Sequence, residues 1–428
     1  MNVLIFFLGF VLAVVIGTKF KVNCGFLAII FGFLITWFYL GGKSSSYVAM
    51  FPTTLFWNYA MPIFFYAFAS ANGTLKVLGK KIVYAFRNAT WALSLSIMVM
   101  AALIAASGTS TNNTFIAAPL AWGFATAAGL NPLMTVTSLW CGTLLGAFTP
   151  WTTMGALHNG MQLEYLGETL VWRYAAYLFV TGLVIFAIMF IITRGWRVSK
   201  TGEEAPALMA KPEPFTKQQV MTLATILICI ALLLIPAILS TAFKWSWAKW
   251  MSSNLTVPIT CSCGIAILCL MKLGDLKDVF KNHVNWNILW TILFMGQYCG
   301  LAAQMGVTDT LAEWLQNMPA VFIAPCICFI SAALSFVVSA STVLPLLYAM
   351  IPSLAAAADV SIAQMAIPML IGVAITSFSP LSTGGAAAQI GAPTEVAEKL
   401  FLPQLITSVC FGVGASLLAF TGIYFIGG

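Results

Sequence analysis

The chain has 428 residues, of which 61% are hydrophobic and only 7% charged, with a mean hydropathy of +0.97 and a formal net charge of +7. A water-soluble domain of this composition would leave large apolar faces in water, so the soluble enzyme classes are excluded and a polytopic membrane protein is expected. The positive balance has a membrane explanation, given below, and nothing in the sequence suggests a nucleic-acid partner.

In chain order, apolar runs of about 17 to 26 residues recur, near the ~20 needed to cross about 30 Å of hydrocarbon as a helix. The first, "NVLIFFLGFVLAVVIGT", lacks a basic flank and a small-residue cleavage pattern, so it reads as a span and not as a secretion signal. Spans are expected over 2–18, 24–41, 50–71, 132–157 and 168–193, then over 217–241, 254–271, 285–304, 362–390 and 400–426. Two further segments, 90–128 and 319–358, read as hydrophobic pairs interrupted by Ser/Thr-rich stretches. The polar, proline-bearing segment 194–216 joins the two sets as a linker. Ten cysteines fall in apolar segments without the neighbours of a metal site and read as small buried hydrophobes.

The two sets align. "FFYAFASANGTLKVL" matches "QYCGLAAQMGVTDTL", placing Gly73 over Gly306 at an offset of 233. Ser107 of "SGTSTNN" falls on Ser339 of "SASTVLP" at 232, Pro119 on Pro352 at 233, and Pro150 of "FTPWTTMGA" on Pro380 of "FSPLSTGGA" at 230. Matches in one order at nearly constant offset indicate internal duplication. If each interrupted pair enters and leaves by the same side, each half has five crossings, and an odd number inverts the second half relative to the first.

The expected fold is therefore an all-α polytopic membrane protein of two inverted-topology repeats, 1–193 and 217–428. Each repeat has about five transmembrane helices, a re-entrant hairpin (90–128, 319–358) and a broken helix (132–157, 362–390). With the N-terminus outside, the outer loops hold only Lys43, Arg173, Lys244 and Lys249, and the other fifteen Lys and Arg lie on the inner side. Cytoplasmic loops carry such an excess, so the linker is placed inside and both termini outside. The uninterrupted spans, 2–41 and 217–271, read as scaffold, and 50–193 with 285–428 as the moving transport part.

A proline at mid-membrane removes a donor and clashes with the preceding turn, and the unwound backbone survives in hydrocarbon only where something satisfies it. Here the break runs Pro, two hydroxyls, then Gly, and it occurs twice. Unwound carbonyls and hydroxyls suit a small hard cation, and half-helix N-termini suit an anion. Ser107, Thr109, Ser110, Thr111, Asn112 and Asn113 at the first hairpin tip are expected to meet Thr149, Thr152 and Thr153. Ser339, Ser341 and Thr342 are expected to meet Ser379, Ser382 and Thr383.

With "FPTTLFWNYAMPIFFYAFASANGTL", both tips and "SFSPLSTGGA", essentially the whole chain resembles the ion transporter superfamily, in particular the divalent anion:sodium symporters. It is most similar to the malonate and C4-dicarboxylate carriers of MatC type. The resemblance implies re-entrant hairpins, a dicarboxylate between the two tips, sodium sites where tips meet breaks, a homodimer in the bacterial inner membrane, and an elevator motion. Carried onto this chain, it puts sodium at Ser107, Thr111, Thr149, Pro150, Thr152, Gly155, Ser339, Ser379, Pro380, Ser382 and Gly385. The dianion falls to Thr109, Ser110, Asn112, Asn113, Thr153, Ser341, Thr342, Thr383 and Gly384. The Ser-Asn-Thr triplet typical of the divalent anion symporters is not literally present; "SGTSTNNT" and "SASTVLP" occupy its places.

Proton coupling generally needs a titratable group within the membrane. No Asp, Glu, Lys or Arg occurs between Arg87 and Glu164, and only Asp359 between Glu313 and Glu395, so both sites consist of neutral oxygens and suit sodium. No other cofactor is expected. His158, placed near the outer end of a span, keeps a proton-coupled alternative open. The large membrane subunit of a tripartite binding-protein-dependent system and an exchanger of anions or cations are further alternatives. An enzyme is not expected, since the Ser and Thr clusters have no accompanying base.

Overall fold

In the computed structural model the described residues are all except 1, 86–89, 109–112, 198–210, 285, 308–309, 311–312, 314–317, 338–339 and 426–428. Every regular element among them is helical. That follows from a sequence rich in Leu, Ile, Ala, Val and Phe, because a helix satisfies each backbone N–H and C=O within its own segment.

The first half runs α1 (Asn2–Phe20), α2 (Cys24–Leu34, continued by a widened turn over Ile35–Tyr39), α3 (Ser44–Val48), α4 (Thr53–Ala71), α5 (Thr74–Ala85), α6 (Leu93–Ala106), α7 (Asn113–Ala128), α8 (Pro132–Ala147), α9 (Thr153–Met161) and α10 (Val171–Ile192). The second runs α11 (Lys217–Phe243), α12 (Ser246–Asn254), α13 (Val257–Leu270), α14 (Trp286–Cys299), α15 (Leu301–Gln304), α16 (Ala320–Val337), α17 (Ala340–Ala357), α18 (Ile362–Thr376), α19 (Thr383–Ala387) and α20 (Thr394–Ala419).

Local chemistry sets several starts. The Asn131 side chain accepts from the Leu133 N–H with Pro132 in the first turn, and reciprocal Thr216/Gln219 and Ser361/Gln364 capping boxes open α11 and α18. Among the described residues three helices are long and apolar enough to cross a membrane alone: α10, the Lys217–Ser240 part of α11 and the Glu395–Ala419 part of α20. Many others are shorter apolar helices, including α6, α8, α16 and α18, as expected of interrupted segments.

Packing of the two halves follows a common plan. The first helix of each pair lies along the first limb of its own broken helix, α6 on α8 and α16 on α18, and these are the most extensive helix contacts. Glycine permits the approach: a Cβ on Gly146 would lie 2.1 Å from the Ala102 carbonyl oxygen, and one on Gly372 would lie 2.4 Å from that of Cys328. The halves also interlock, because α2 packs on α14 and α13 on α4. One buried cluster joins both sets of paired and broken helices, and a smaller one unites α1 and α2 with α14.

Several elements differ from expectation, α3 and α5 among them, since both fill stretches expected to lie between spans. Helix α12 occupies a stretch expected to be loop, turned 79° from α13, with Trp247 and Trp250 exposed. Helix α20 begins six residues before the expected span at 400. Apolarity locates the hydrocarbon part of a helix, whereas Pro393 and the first-turn Glu395 mark where its backbone starts.

Candidate functional site

Helix α8 stops at Ala147 and α9 resumes at Thr153. Across the gap the Thr152 N–H donates to the Thr149 carbonyl at 3.0 Å, and the Thr152 hydroxyl donates to the carbonyls of Thr149 (2.8 Å) and Ala147. That hydroxyl also accepts from the Gly155 N–H at 3.1 Å, so Thr152 caps the second limb. The Thr149 hydroxyl donates to the Gly146 carbonyl at 3.0 Å. Gly155 is required sterically, since a Cβ there would lie 1.9 Å from the Thr149 carbonyl oxygen.

The first hairpin tip meets this break. The Thr153 N–H and hydroxyl both donate to the Gly108 carbonyl, at 3.2 and 2.9 Å, and the Trp151 indole N–H donates to the Ala106 carbonyl at 2.9 Å. From beneath, the Tyr66 hydroxyl of α4 donates to the Trp151 carbonyl at 2.6 Å. Gly108 has φ +111°, and a Cβ would fall 2.0 Å from the Tyr66 ring, so both backbone and space demand glycine.

The second break repeats the first. Helix α18 ends at Thr376 and α19 resumes at Thr383; the Ser382 N–H donates to the Ser379 carbonyl at 2.9 Å, and the Ala386 N–H to that of Ser382 at 2.9 Å. A Cβ on Gly385 would lie 2.1 Å from the Ser379 carbonyl oxygen, matching Gly155 over Thr149. The Ser379 hydroxyl accepts from the Leu381 N–H at 3.2 Å. The second break is also tied to the first half, because the Trp140 indole N–H of α8 donates to the Ser377 hydroxyl at 3.2 Å.

Of the residues named from sequence, Ser107, Thr152, Thr153, Ser379 and Ser382 are buried and Thr149, Pro150 and Pro380 half-buried, all at or beside the breaks. Gly155, Gly384 and Gly385 lie in the first turns of the second limbs. The Ser107 hydroxyl donates to the Ile104 carbonyl at 2.7 Å. Thr109, Ser110, Thr111, Asn112 and Ser339 lie outside the described residues. Asn113 opens α7, Ser341 and Thr342 lie in the first turn of α17, and Thr383 opens α19; for these four only the backbone is described.

Sequence reasoning missed the residues that support the breaks. The Gln404 amide of α20, fully buried, donates to the Phe378 carbonyl at 2.8 Å and the Gly385 carbonyl at 3.1 Å, and accepts from Gln389 at 2.7 Å. A lone Gln in an apolar span was the available signal, because a buried amide needs partners. His158, which the sequence places near the outer end of a span, lies among aromatic rings. It is buried on α9, its Nδ1 lies 2.6 Å from the Tyr348 hydroxyl, and the rings of Phe148, Tyr174 and Tyr348 surround it.

Chemically, the breaks gather uncharged oxygens in a buried setting. The Thr149 hydroxyl, which donates to a carbonyl, and the Ser379 hydroxyl, which accepts one N–H, each keep a lone pair for a cation, and both lie within the breaks. No three His, Cys, Asp or Glu side chains among the described residues gather as a metal-binding group.

Residues 1–147 match the family model of the dicarboxylate carrier protein MatC N-terminus. No curated protein matches the chain. Among solved structures, the fold is similar to that of the Alcanivorax borkumensis YdaH transporter, described as having an unusual topology. That match covers 89% of this chain and 87% of the other at a TM-score of 0.60 and 14% identity, so what is shared is the fold. The family match is confined to residues 1–147, and the likeness over most of the chain is one of fold.

Proposed function

We propose that the protein imports a small organic dianion of the dicarboxylate class, coupled to sodium ions bound at the two breaks. The observation that carries this reading is the matched pair of uncharged breaks: Thr149, Thr152 and Gly155 in one half and Ser379, Ser382 and Gly385 in the other, the first joined to the Gly108 tip. The name of the family matched by residues 1–147 supplies the substrate class.

Charge supports sodium as the partner. Moving a dianion inward against 100 mV, negative inside, costs about 4.6 kcal/mol at ~2.3 kcal/mol per charge. Two sodium ions cancel that cost and a third drives accumulation. Sodium is coordinated by the break oxygens, and the dianion lies between the tips, held by neutral donors and the bound cations. The halves are inverted repeats in the bacterial inner membrane with both termini outside. The part carrying paired and broken helices slides past the scaffold of α1, α2, α11 and α13, and two copies form a dimer.

The test is thermal unfolding of the purified chain in sodium and in choline buffer, with malonate or succinate added. A ligand at a hundredfold its Kd stabilises by about 2.7 kcal/mol. The expected result is stabilisation by the dianion in sodium only; equal stabilisation in choline would remove the coupling.

A further inference from the structure

Each half's paired helices bond to the broken helix of the other half. On one side the Tyr348 hydroxyl of α17 lies 2.6 Å from His158 Nδ1 on α9 and accepts from Gln162 Nε2 at 3.3 Å. The direction of this chain is fixed at its far end. The Leu170 N–H donates to Gln162 Oε1 at 2.7 Å, which leaves the Gln162 amide nitrogen to donate to Tyr348. The Tyr348 hydroxyl and His158 Nδ1 share one proton between them, its side set by the imidazole tautomer. All three side chains are buried.

On the other side the Trp122 indole N–H of α7 donates to the Ala388 carbonyl, just beyond α19, at 2.8 Å. The chain leaving α19 then passes close over α7, where a Cβ on Gly391 would lie 2.8 Å from Pro119 Cα. The first tip is meanwhile bonded to the break of its own half through Gly108 and Thr153. Helices α7 and α17 thus each touch the broken helix of the other half.

We propose that His158–Tyr348–Gln162 and Trp122–Ala388 are crossed latches, positioning contacts that make the two breaks load and move as one unit. None of these residues is a ligand in the proposed sites, and the inference rests on the proposed sodium-coupled transport. The latches predict that sodium binding at one break favours binding at the other, so uptake rises steeply with sodium concentration.

The variants Tyr348→Phe and Trp122→Phe keep an aromatic ring and remove the latching hydroxyl or indole N–H, and either one alone is sufficient for the test. In the full chain reconstituted in lipid, backbone hydrogen exchange of α17 in Tyr348→Phe, and of α7 in Trp122→Phe, should quicken about tenfold while α10 is unchanged. The steepness of sodium-dependent uptake should fall in each, with half-saturation rising about fivefold or more, the scale of a typical coupling energy. The double variant should be no less steep than the weaker single. Unchanged exchange in these helices, or a lowered melting temperature with unchanged sodium steepness, overturns the latches. If the native chain moves no dianion, the proposed function fails, and the exchange measurement alone decides between latches and ordinary packing.

Discussion

The carbonyl oxygen of Gly108 accepts two hydrogen bonds from one residue, the backbone N–H of Thr153 at 3.2 Å and its hydroxyl at 2.9 Å. One is at the tip of the first helix pair and the other opens the second limb of the first broken helix, 45 residues on in sequence. A carbonyl directed at a break in buried surroundings needs such donors, because an unpaired one costs about 1–3 kcal/mol. The contact holds tip and break together, and the Tyr66 ring beneath Gly108 leaves no room for a side chain.

Thr152→Val keeps the shape of the Thr152 side chain and removes its oxygen from the first break, and Ser382→Ala removes the hydroxyl of Ser382 from the second. Losing one oxygen from a dehydrated cage costs ~1–3 kcal/mol, or about 5- to 150-fold in affinity. Each variant should raise the sodium concentration for half-maximal uptake by that factor, with a smaller effect on the melting temperature. Sodium titrations of uptake beside thermal unfolding check both, and unchanged sodium dependence in two folded variants would remove these sites.

Gly155→Ala and Gly385→Ala place a methyl group 1.9 and 2.1 Å from the carbonyl oxygens of Thr149 and Ser379. Backbone has to shift, and forced overpacking typically costs ~1–3 kcal/mol. Both variants should melt earlier and lose sodium-dependent stabilisation, whereas Gly414→Ala, with nothing within 4 Å, should do neither.

Gln404→Leu removes the donor shared by the Phe378 and Gly385 carbonyls. Two buried acceptors left unpaired should cost about 2 kcal/mol or more. Thermal unfolding should show the loss, and hydrogen exchange should quicken in α19 before α10.

How much of this was legible in sequence depended on the kind of signal. The breaks at 148–152 and 377–382 were visible because Pro150 and Pro380 each interrupt an apolar run, at positions that align between the two halves of the sequence. The meeting of Gly108 with Thr153 was expected as a contact between segments, but not atom by atom, since the bond goes to a backbone carbonyl that carries no residue label. Gln404 and Tyr348 were missed because each sits among mostly apolar neighbours in its helix, and only the fold decides whether it faces lipid or a break. Helix α12 was missed because Lys249 and the exposed Trp247 and Trp250 read as loop beside a strongly apolar span.

The distribution of Lys and Arg predicts orientation. Single cysteines introduced near Lys80 and Lys211 in a cysteine-free chain should be shielded from an impermeant thiol reagent in intact cells, and those near Glu164 and Glu313 should react. Labelling at 211 from outside would contradict the inverted arrangement.

Sodium-coupled import of a dianion is tested most directly by radiolabelled uptake into liposomes that hold only this protein, with malonate, succinate, fumarate, malate and citrate compared under an inward sodium gradient and without one. At least one dicarboxylate should accumulate above equilibrium with the gradient and equilibrate slowly without it. Accumulation independent of sodium, or no uptake until a binding protein or a counter-substrate is supplied, would contradict the account.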